Sequence, residues 1–135
     1  MLKIAFDCQG VLLSDGPTPS KLDTRMRGKI MPDLLETLVR GGAKVFCMSA
    51  APENHPTAYS ALVELLARHE IPVHGIFPVF HRPDETPFEI GKLKAQAMRR
   101  AQCVLIFDDN AEVCRGVRDA GQIAIEYSTA WEARL

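Results

Sequence analysis

Residues 2–12, Leu-Lys-Ile-Ala-Phe-Asp-Cys-Gln-Gly-Val-Leu, carry the pattern that decides the fold. The mostly apolar residues 2–6 predict a buried strand that ends at Asp7. Residues 104–109, Val-Leu-Ile-Phe-Asp-Asp, repeat this pattern nearer the other end of the chain, with an acidic pair after the strand. Two buried strands that each end in a carboxylate predict a sheet with functional groups along one edge.

Predicted strands and helices alternate along the chain. The predicted strands cover residues 2–6, 44–48, 75–80, 103–107 and 122–127, and the predicted helices cover residues 32–40, 57–69, 88–100 and 111–120. Pro78 in the third strand favours an edge position, because proline cannot donate a ladder hydrogen bond. Near-continuous apolar strands separated by helices predict a five-stranded parallel sheet with helices on both faces, an α/β three-layer sandwich of the Rossmann-like kind.

The composition fits one globular domain over residues 1–135. Hydrophobic residues make up 47% and charged residues 24%, and 16 Lys plus Arg against 17 Asp plus Glu leave a net charge of −1. These values argue against a disordered chain and against a polybasic binder of nucleic acid or membranes. We expect no transmembrane span and no signal peptide, so the cytoplasm is the expected location.

Cysteine and histidine spacing argues against a structural zinc site. The four cysteines, Cys8, Cys47, Cys103 and Cys114, form no C-x-x-C pair, and the four histidines also lack ligand spacing. The thiols are therefore expected to be small buried groups in a reducing compartment.

Polar residues with a common chemistry follow three of the predicted strands. Asp7 follows the first strand, Ser49 the second, and Asp108 with Asp109 the fourth. In an open parallel sheet, ligands bind outside these strand ends. Two or three carboxylates can hold Mg²⁺ together with a substrate phosphate, and one carboxylate can attack phosphorus. A serine hydroxyl and a lysine ammonium can hold the remaining phosphoryl oxygens.

These residues resemble the motifs of the haloacid dehalogenase (HAD) superfamily of phosphatases and phosphotransferases. The first HAD motif, an apolar strand followed by Asp-x-Asp-Gly-(Thr/Val)-(Leu/Val), is similar to residues 4–12. The second, a strand that ends in Ser or Thr, is similar to residues 44–49. The third is a lysine, here Lys92 or Lys94, and the fourth is a strand that ends in an acidic pair, here residues 104–109. The resemblance covers most of the chain and implies the HAD strand order 5-4-1-2-3.

The resemblance also implies how the acidic residues act. Asp7 is then the nucleophile and a Mg²⁺ ligand, and the backbone carbonyl of Gln9 faces the same ion. Asp108 is a further ligand, and Asp109 supports it. The implied function is Mg²⁺-dependent phosphoryl hydrolysis or transfer through an aspartyl-phosphate on Asp7.

Two further residues are implied to bind the phosphoryl group of the substrate. One is Ser49, and the other is a lysine. Lys92 is preferred because it follows Gly91 at the start of its helix, and Lys94 is the alternative.

Gln9 departs from the HAD pattern at a catalytic position. The family's second aspartate exchanges a proton with the leaving group and with the attacking water, which a glutamine amide cannot do near neutral pH. General acid–base catalysis contributes about 10²–10⁴-fold. Three interpretations therefore stay open: a slow phosphatase, a long-lived aspartyl-phosphate, or a degenerate domain that binds a phosphorylated ligand or a protein partner.

The chain leaves room for a short flap at about residues 13–30, but not for a full cap domain. It therefore resembles capless HAD proteins, which act on large substrates or take a lid from a neighbouring subunit. We expect a phosphorylated substrate, with a macromolecular substrate and a homo-oligomer as open alternatives, and no membrane partner.

Two other α/β classes fit these motifs less well. A response-regulator receiver domain has its acidic pair after the first strand and its phosphorylated aspartate after the third, whereas here the pair follows the fourth strand. No G-x-G-x-x-G follows the first strand and no G-x-x-x-x-G-K-(S/T) occurs, which disfavours a nucleotide-binding fold.

Overall fold

A computed structural model describes residues 1–8, 10–12 and 30–127. The strands are β1 (Lys3–Phe6), β2 (Lys44–Pro52), β3 (Gly75–His81), β4 (Leu105–Asp108) and β5 (Ile123–Glu126), and the helices between them are α1 (Ile30–Arg40), α2 (Ala58–Arg68), α3 (Pro87–Ala101) and α4 (Ala111–Asp119). Every predicted strand and helix is confirmed. The main difference is β2, which continues past Ser49 to Pro52. Within the described part of the chain, none of the helices is long and apolar enough to cross a membrane.

The sheet has the strand order β3-β2-β1-β4-β5, and all four neighbouring pairs are parallel. The order 5-4-1-2-3 is therefore confirmed. The chain leaves the central strand β1 towards β2 and β3 on one side, and then crosses to β4 and β5 on the other. The order reverses between β1 and β4, so the ends of these two strands form the crevice in which such sheets bind ligands.

The sheet separates two apolar cores, which makes the predicted three-layer sandwich. Along β1, Ile4 and Phe6 belong to one core and Ala5 belongs to the other, as the twofold alternation of a strand requires. Side chains of α1 and α2, including Leu35 and Leu66, cover the first core. Side chains of α3 and α4 cover the second.

The third strand is an edge strand, as Pro78 predicts. The backbone N–H of Glu53 donates to the carbonyl of His81, so the backbone of His81 faces β2. Backbone groups alternate in direction along a strand, and Pro78 therefore faces the open edge. Its missing N–H costs no ladder hydrogen bond there.

Candidate active site

Asp7 lies directly after the central strand β1. Its backbone N–H donates to the carbonyl of Phe107 at 2.9 Å, which extends the ladder between β1 and β4 by one residue. This bond holds the Asp7 carboxylate beside the end of β4. The Asp7 side chain is 15% exposed and faces a pocket.

Asp108 is the last residue of β4 and is 1% exposed. Its Oδ1 accepts a hydrogen bond from the backbone N–H of Asn110 at 3.0 Å. Asn110 is the N-cap of α4, because its side-chain oxygen accepts from the N–H groups of Glu112 and Val113. Neither Asp108 nor Asp109 is therefore needed to cap this helix, and both carboxylates are available to the site.

Lys94 joins the two carboxylates. Its Nζ donates to Oδ1 of Asp7 at 2.9 Å and to Oδ2 of Asp108 at 2.7 Å. The Lys94 side chain is only 2% exposed. An ammonium group buried to this degree is stable only beside carboxylates that replace its water. The bridge thus links α3 to the ends of β1 and β4.

Burial and charge act against each other in this cluster. Burial raises the pKa values of both Asp7 and Asp108, and the attraction of Lys94 only partly offsets this effect. Repulsion from Asp109 raises the pKa of Asp7 further. Burial alone would lower the pKa of Lys94, but the two carboxylates outweigh it and raise the pKa above its ordinary value. Lys94 thus offsets the cost of burying Asp7 and Asp108 together.

Asp109 is exposed, and its carboxylate lies against the loop that follows β1. Gly10 in this loop has a φ of +85°, and a Cβ atom there would lie 2.1 Å from Oδ2 of Asp109. The glycine of the first motif is therefore required both by its backbone conformation and by the close approach of Asp109.

The three carboxylates fit a divalent cation. One oxygen atom from each of Asp7, Asp108 and Asp109 can be chosen so that all lie within 4.8 Å of one another. Carboxylate oxygens are the ligands that Mg²⁺ prefers. The residues present therefore fit the metal that the motifs imply.

Lys92 does not reach this cluster, and the preference for it over Lys94 is corrected by the geometry. Its Nζ lies 3.2 Å from Oδ2 of Asp119 and 4.9 Å from the ring centre of Phe88, on the outside of α3. Side chains two positions apart in a helix point to nearly opposite faces, so only one of the two lysines can face the sheet.

The periodicity of α3 could have identified Lys94 from the sequence. The buried residues of this helix are Gly91, Lys94, Ala95 and Met98. They have the spacing i, i+3, i+4, i+7 of a single helix face. Lys94 is the one charged residue in this apolar series, and Lys92 lies outside it.

Close packing of α3 against α4 fixes the position of Lys94. A Cβ atom on Gly91 would lie 2.1 Å from the carbonyl oxygen of Val113, and one on Gly116 would lie 2.0 Å from that of Phe88. The two helix backbones are therefore in direct contact. Because α4 begins three residues after Asp108, this contact places the next turn of α3, with Lys94, beside that carboxylate.

A pocket of about 470 Å³ opens over the cluster. Its lining brings together four of the predicted site residues, Asp7, Ser49, Asp108 and Asp109. Ser49 is half-buried and lies within β2 rather than after its end. Gln9 lies outside the described residues, as do residues 13–29 of the predicted flap.

Sequence reasoning missed several residues that line this pocket, among them Cys8, Asn110 and Val113. Asn110 could have been found, because an asparagine directly before an amphipathic helix predicts an N-cap at that strand end. Cys8 follows Asp7 and could have been placed by its position in the motif. Nothing in the residue pattern marks Val113 as a pocket residue rather than a core residue.

Solved structures share this fold, although neither a protein-family model nor a curated protein matches the sequence. D,D-heptose 1,7-bisphosphate phosphatase from B. bronchiseptica, complexed with magnesium and phosphate, matches with a TM-score of 0.60 and 15% identity, over 92% of this chain and 79% of that chain. A chain of the Pnkp1/Rnl/Hen1 RNA repair complex matches with a TM-score of 0.64 and 14% identity, over 93% of this chain and 42% of that chain. An uncharacterized protein from Corynebacterium glutamicum matches with a TM-score of 0.55 and 20% identity, over 95% of this chain and 85% of that chain.

The fold is that of HAD-like proteins. The parallel sheet, its strand order and the similarity to these structures agree on this point. At these identities the likeness concerns the fold and does not extend to activity.

Proposed function

We propose that the protein is a Mg²⁺-dependent phosphatase or phosphotransferase that acts through an aspartyl-phosphate on Asp7. The observation that carries the proposal is the bridge from Lys94 to Asp7 and Asp108 at the floor of a pocket. Buried ion pairs contribute little net stability, because desolvation offsets their attraction. Clusters of perturbed carboxylates in a cleft are instead typical of catalytic sites.

The residues of the cluster support nucleophilic attack on phosphorus and the binding of the phosphoryl oxygens. A carboxylate oxygen of Asp7 attacks phosphorus, the new O–P bond forms, and the leaving-group oxygen departs with the electron pair of the broken P–O bond. Lys94 orients Asp7 and places positive charge beside the phosphoryl oxygens, and Ser49 offers a hydroxyl donor. Water then attacks phosphorus, which releases phosphate and restores the Asp7 carboxylate.

Mg²⁺ would be held by Asp7, Asp108 and Asp109, with the carbonyl of Gln9 as a further ligand. When bound, it would supply positive charge beside the phosphoryl oxygens of the substrate.

Gln9 determines which phosphate esters we expect to react. Its amide cannot protonate a departing oxygen, so esters whose leaving groups are stable as anions should react faster than esters whose leaving groups need a proton. The same residue cannot activate water, which would lengthen the lifetime of the aspartyl-phosphate. Gln9 also favours the second candidate function, a domain that binds a phosphorylated ligand or a protein partner without turnover.

Hydrolysis of 4-nitrophenyl phosphate with and without Mg²⁺ tests this proposal. We expect slow release of nitrophenol that stops with chelator and in Asp7→Asn. Asp84→Asn is the matched control, because Asp84 is an exposed acid paired with Arg82 rather than with the cluster. Activity that persists in Asp7→Asn would contradict the aspartyl-phosphate. If the folded, unaltered protein shows no turnover and the Gln9→Asp variant is active, the result would favour the binding function for the unaltered protein.

We also infer the size of the substrate, the cellular compartment and the oligomeric state. A chain with room for a short flap but not for a full inserted cap favours a large phosphorylated substrate, or a lid supplied by a second copy of the chain. The four cysteines are free and buried, which supports a reducing compartment such as the cytoplasm. Sedimentation of the protein over a range of concentrations tests the homo-oligomer.

A further inference from the structure

A second groove opens from the candidate active site between the end of β2 and helix α2. It has a volume of about 380 Å³. Its walls are mainly short apolar side chains, including Ala50, Ala51, Pro52, Ala58 and Ala61.

The groove is continuous with the catalytic pocket. Ser49, Ala50, Leu62 and Leu65 line both cavities. Because β2 runs on past Ser49 to Pro52, its last three residues extend the floor away from the phosphoryl-binding end. At about 3.3 Å per residue, this stretch covers roughly 10 Å, enough for a bicyclic aromatic group. A substrate with its phosphoryl group at Asp7 would therefore direct its other end into the groove.

The chemistry of the groove selects against polar leaving groups. Among the described residues that line it there is no Asp, Glu, Lys or Arg. Ser49, His55 and Thr57 are the polar members, and Ser49 is shared with the phosphoryl-binding pocket. A sugar or a second phosphate placed here would lose water without gaining enough partners, which costs free energy. A flat apolar group would instead bury apolar surface against the alanine and leucine side chains.

We propose that this groove binds the leaving group of the substrate, and that this group is flat and apolar, of the class of aromatic alcohols. The inference rests on the proposed phosphatase function and adds a substrate class to it. Alanine side chains from β2 and α2 line the groove, and its volume of about 380 Å³ is large enough for a ring system. Departure of an aromatic alcohol as its anion also suits a site with Gln9 in place of an acid.

The test compares 2-naphthyl phosphate with phenyl phosphate, whose leaving groups have nearly the same acidity. The chemical step is therefore matched, and a difference in kcat/KM reports contact beyond the first ring. We expect a preference of about tenfold or more for the naphthyl ester, carried mainly by KM, since a few apolar carbons in a pocket give about 10–200-fold. Ala61→Gln places a larger polar side chain in the groove and should bring the ratio towards one.

Ala67→Gln is the matched control. Ala67 is exposed on the same helix but does not line the groove, so the variant should keep both rates and the preference. A ratio near one in the unaltered protein, or an unchanged ratio in Ala61→Gln, would overturn the groove proposal while Asp7-dependent hydrolysis still supports the phosphatase. If the unaltered protein hydrolyses 4-nitrophenyl phosphate but neither of these esters with Mg²⁺ present, the groove proposal fails alone. If it hydrolyses none of the three, the phosphatase proposal fails and the groove proposal fails with it.

Discussion

At the scale of single residues, Lys94 decides how the site is held together. Its ammonium group compensates two carboxylates that are both largely buried. Removing one partner of a buried ionic cluster is costly, because the remaining charges stay in a medium that solvates them poorly. Lys92, only two residues away, contacts an exposed carboxylate on the outer surface and has no such role.

We therefore expect very different effects from the same substitution at the two lysines. Lys94→Met should lower the free energy of unfolding by about 3–5 kcal/mol without Mg²⁺, because Asp7 and Asp108 lose their counter-charge. Lys92→Met should change it by no more than about 0.5 kcal/mol. Urea unfolding at pH 7 measures both. Equal effects at the two positions would contradict the assignment of Lys94 to the cluster.

Cys103 gives a residue-scale prediction about pH. Burial raises the pKa of this thiol from 9.0 to about 11, although Lys3 acts in the opposite direction. Above pH 9 the unfolded chain therefore loses the thiol proton while the folded chain retains it. Stability present below pH 9 should be lost as the pH rises to 11, by on the order of 2 kcal/mol from this group.

The measurement is the free energy of unfolding between pH 8 and pH 11, in the unaltered protein and in Cys103→Ala. Other groups titrate in this range in both proteins, so the difference between the two curves isolates the thiol. We expect the curves to converge as the pH rises. Parallel curves would show that burial does not shift the pKa of Cys103.

At the scale of helices and strands, the sequence predicted the type and order of the elements better than it predicted where each element ends. Element type and order follow from apolar periodicity, because a buried strand and an amphipathic helix need different spacings. The end of β2 was placed too early, since the small residues Ala50 and Ala51 carry no strand signal, and pairing with β3 extends the strand instead. The choice between Lys92 and Lys94 depended on helix face, which the α3 pattern contains but the motif does not.

The crossing of α3 and α4 depends on two glycines. In an exposed helix, a change from glycine to alanine would stabilise by about 1 kcal/mol. At Gly91 the new Cβ atom would meet the carbonyl oxygen of Val113 at 2.1 Å, so the helices must move apart. We expect Gly91→Ala to cost about 1–3 kcal/mol net, because overpacking outweighs the gain in helix propensity.

Thermal unfolding and phosphatase activity check this expectation together. Displacement of α3 should also move Lys94 away from Asp108, so activity should fall even at temperatures where the variant is folded. Gln96→Ala, at an exposed position of the same helix, is the control and should leave both properties nearly unchanged. A stabilised Gly91→Ala would show that the backbones separate at little cost.

At the scale of the whole molecule, topology brings together residues that are far apart in the sequence. Asp7 and Asp108 become neighbours because β1 and β4 pair, and the crossover from β3 to β4 carries Lys94 on α3. Strand order and motif positions made this juxtaposition predictable. The apolar groove was not predictable, because it depends on where α2 packs relative to the end of β2, and alanines in a sequence do not reveal a cavity.

The same topology predicts a global response to Mg²⁺. Folding brings three carboxylates close together, so a divalent cation should bind the folded state and stabilise it. At a concentration of 100 times its dissociation constant, the ion adds about 2.7 kcal/mol to the free energy of unfolding, which corresponds to a rise in Tm of roughly 10 °C for a domain of this size.

Thermal unfolding with and without MgCl₂ measures the shift, with KCl at equal ionic strength to account for screening. Asp108→Asn should lose most of the shift and Asp84→Asn should keep it. An equal rise in KCl, or in Asp108→Asn, would show that the cluster does not bind the ion, and the proposed chemistry would then lack its metal.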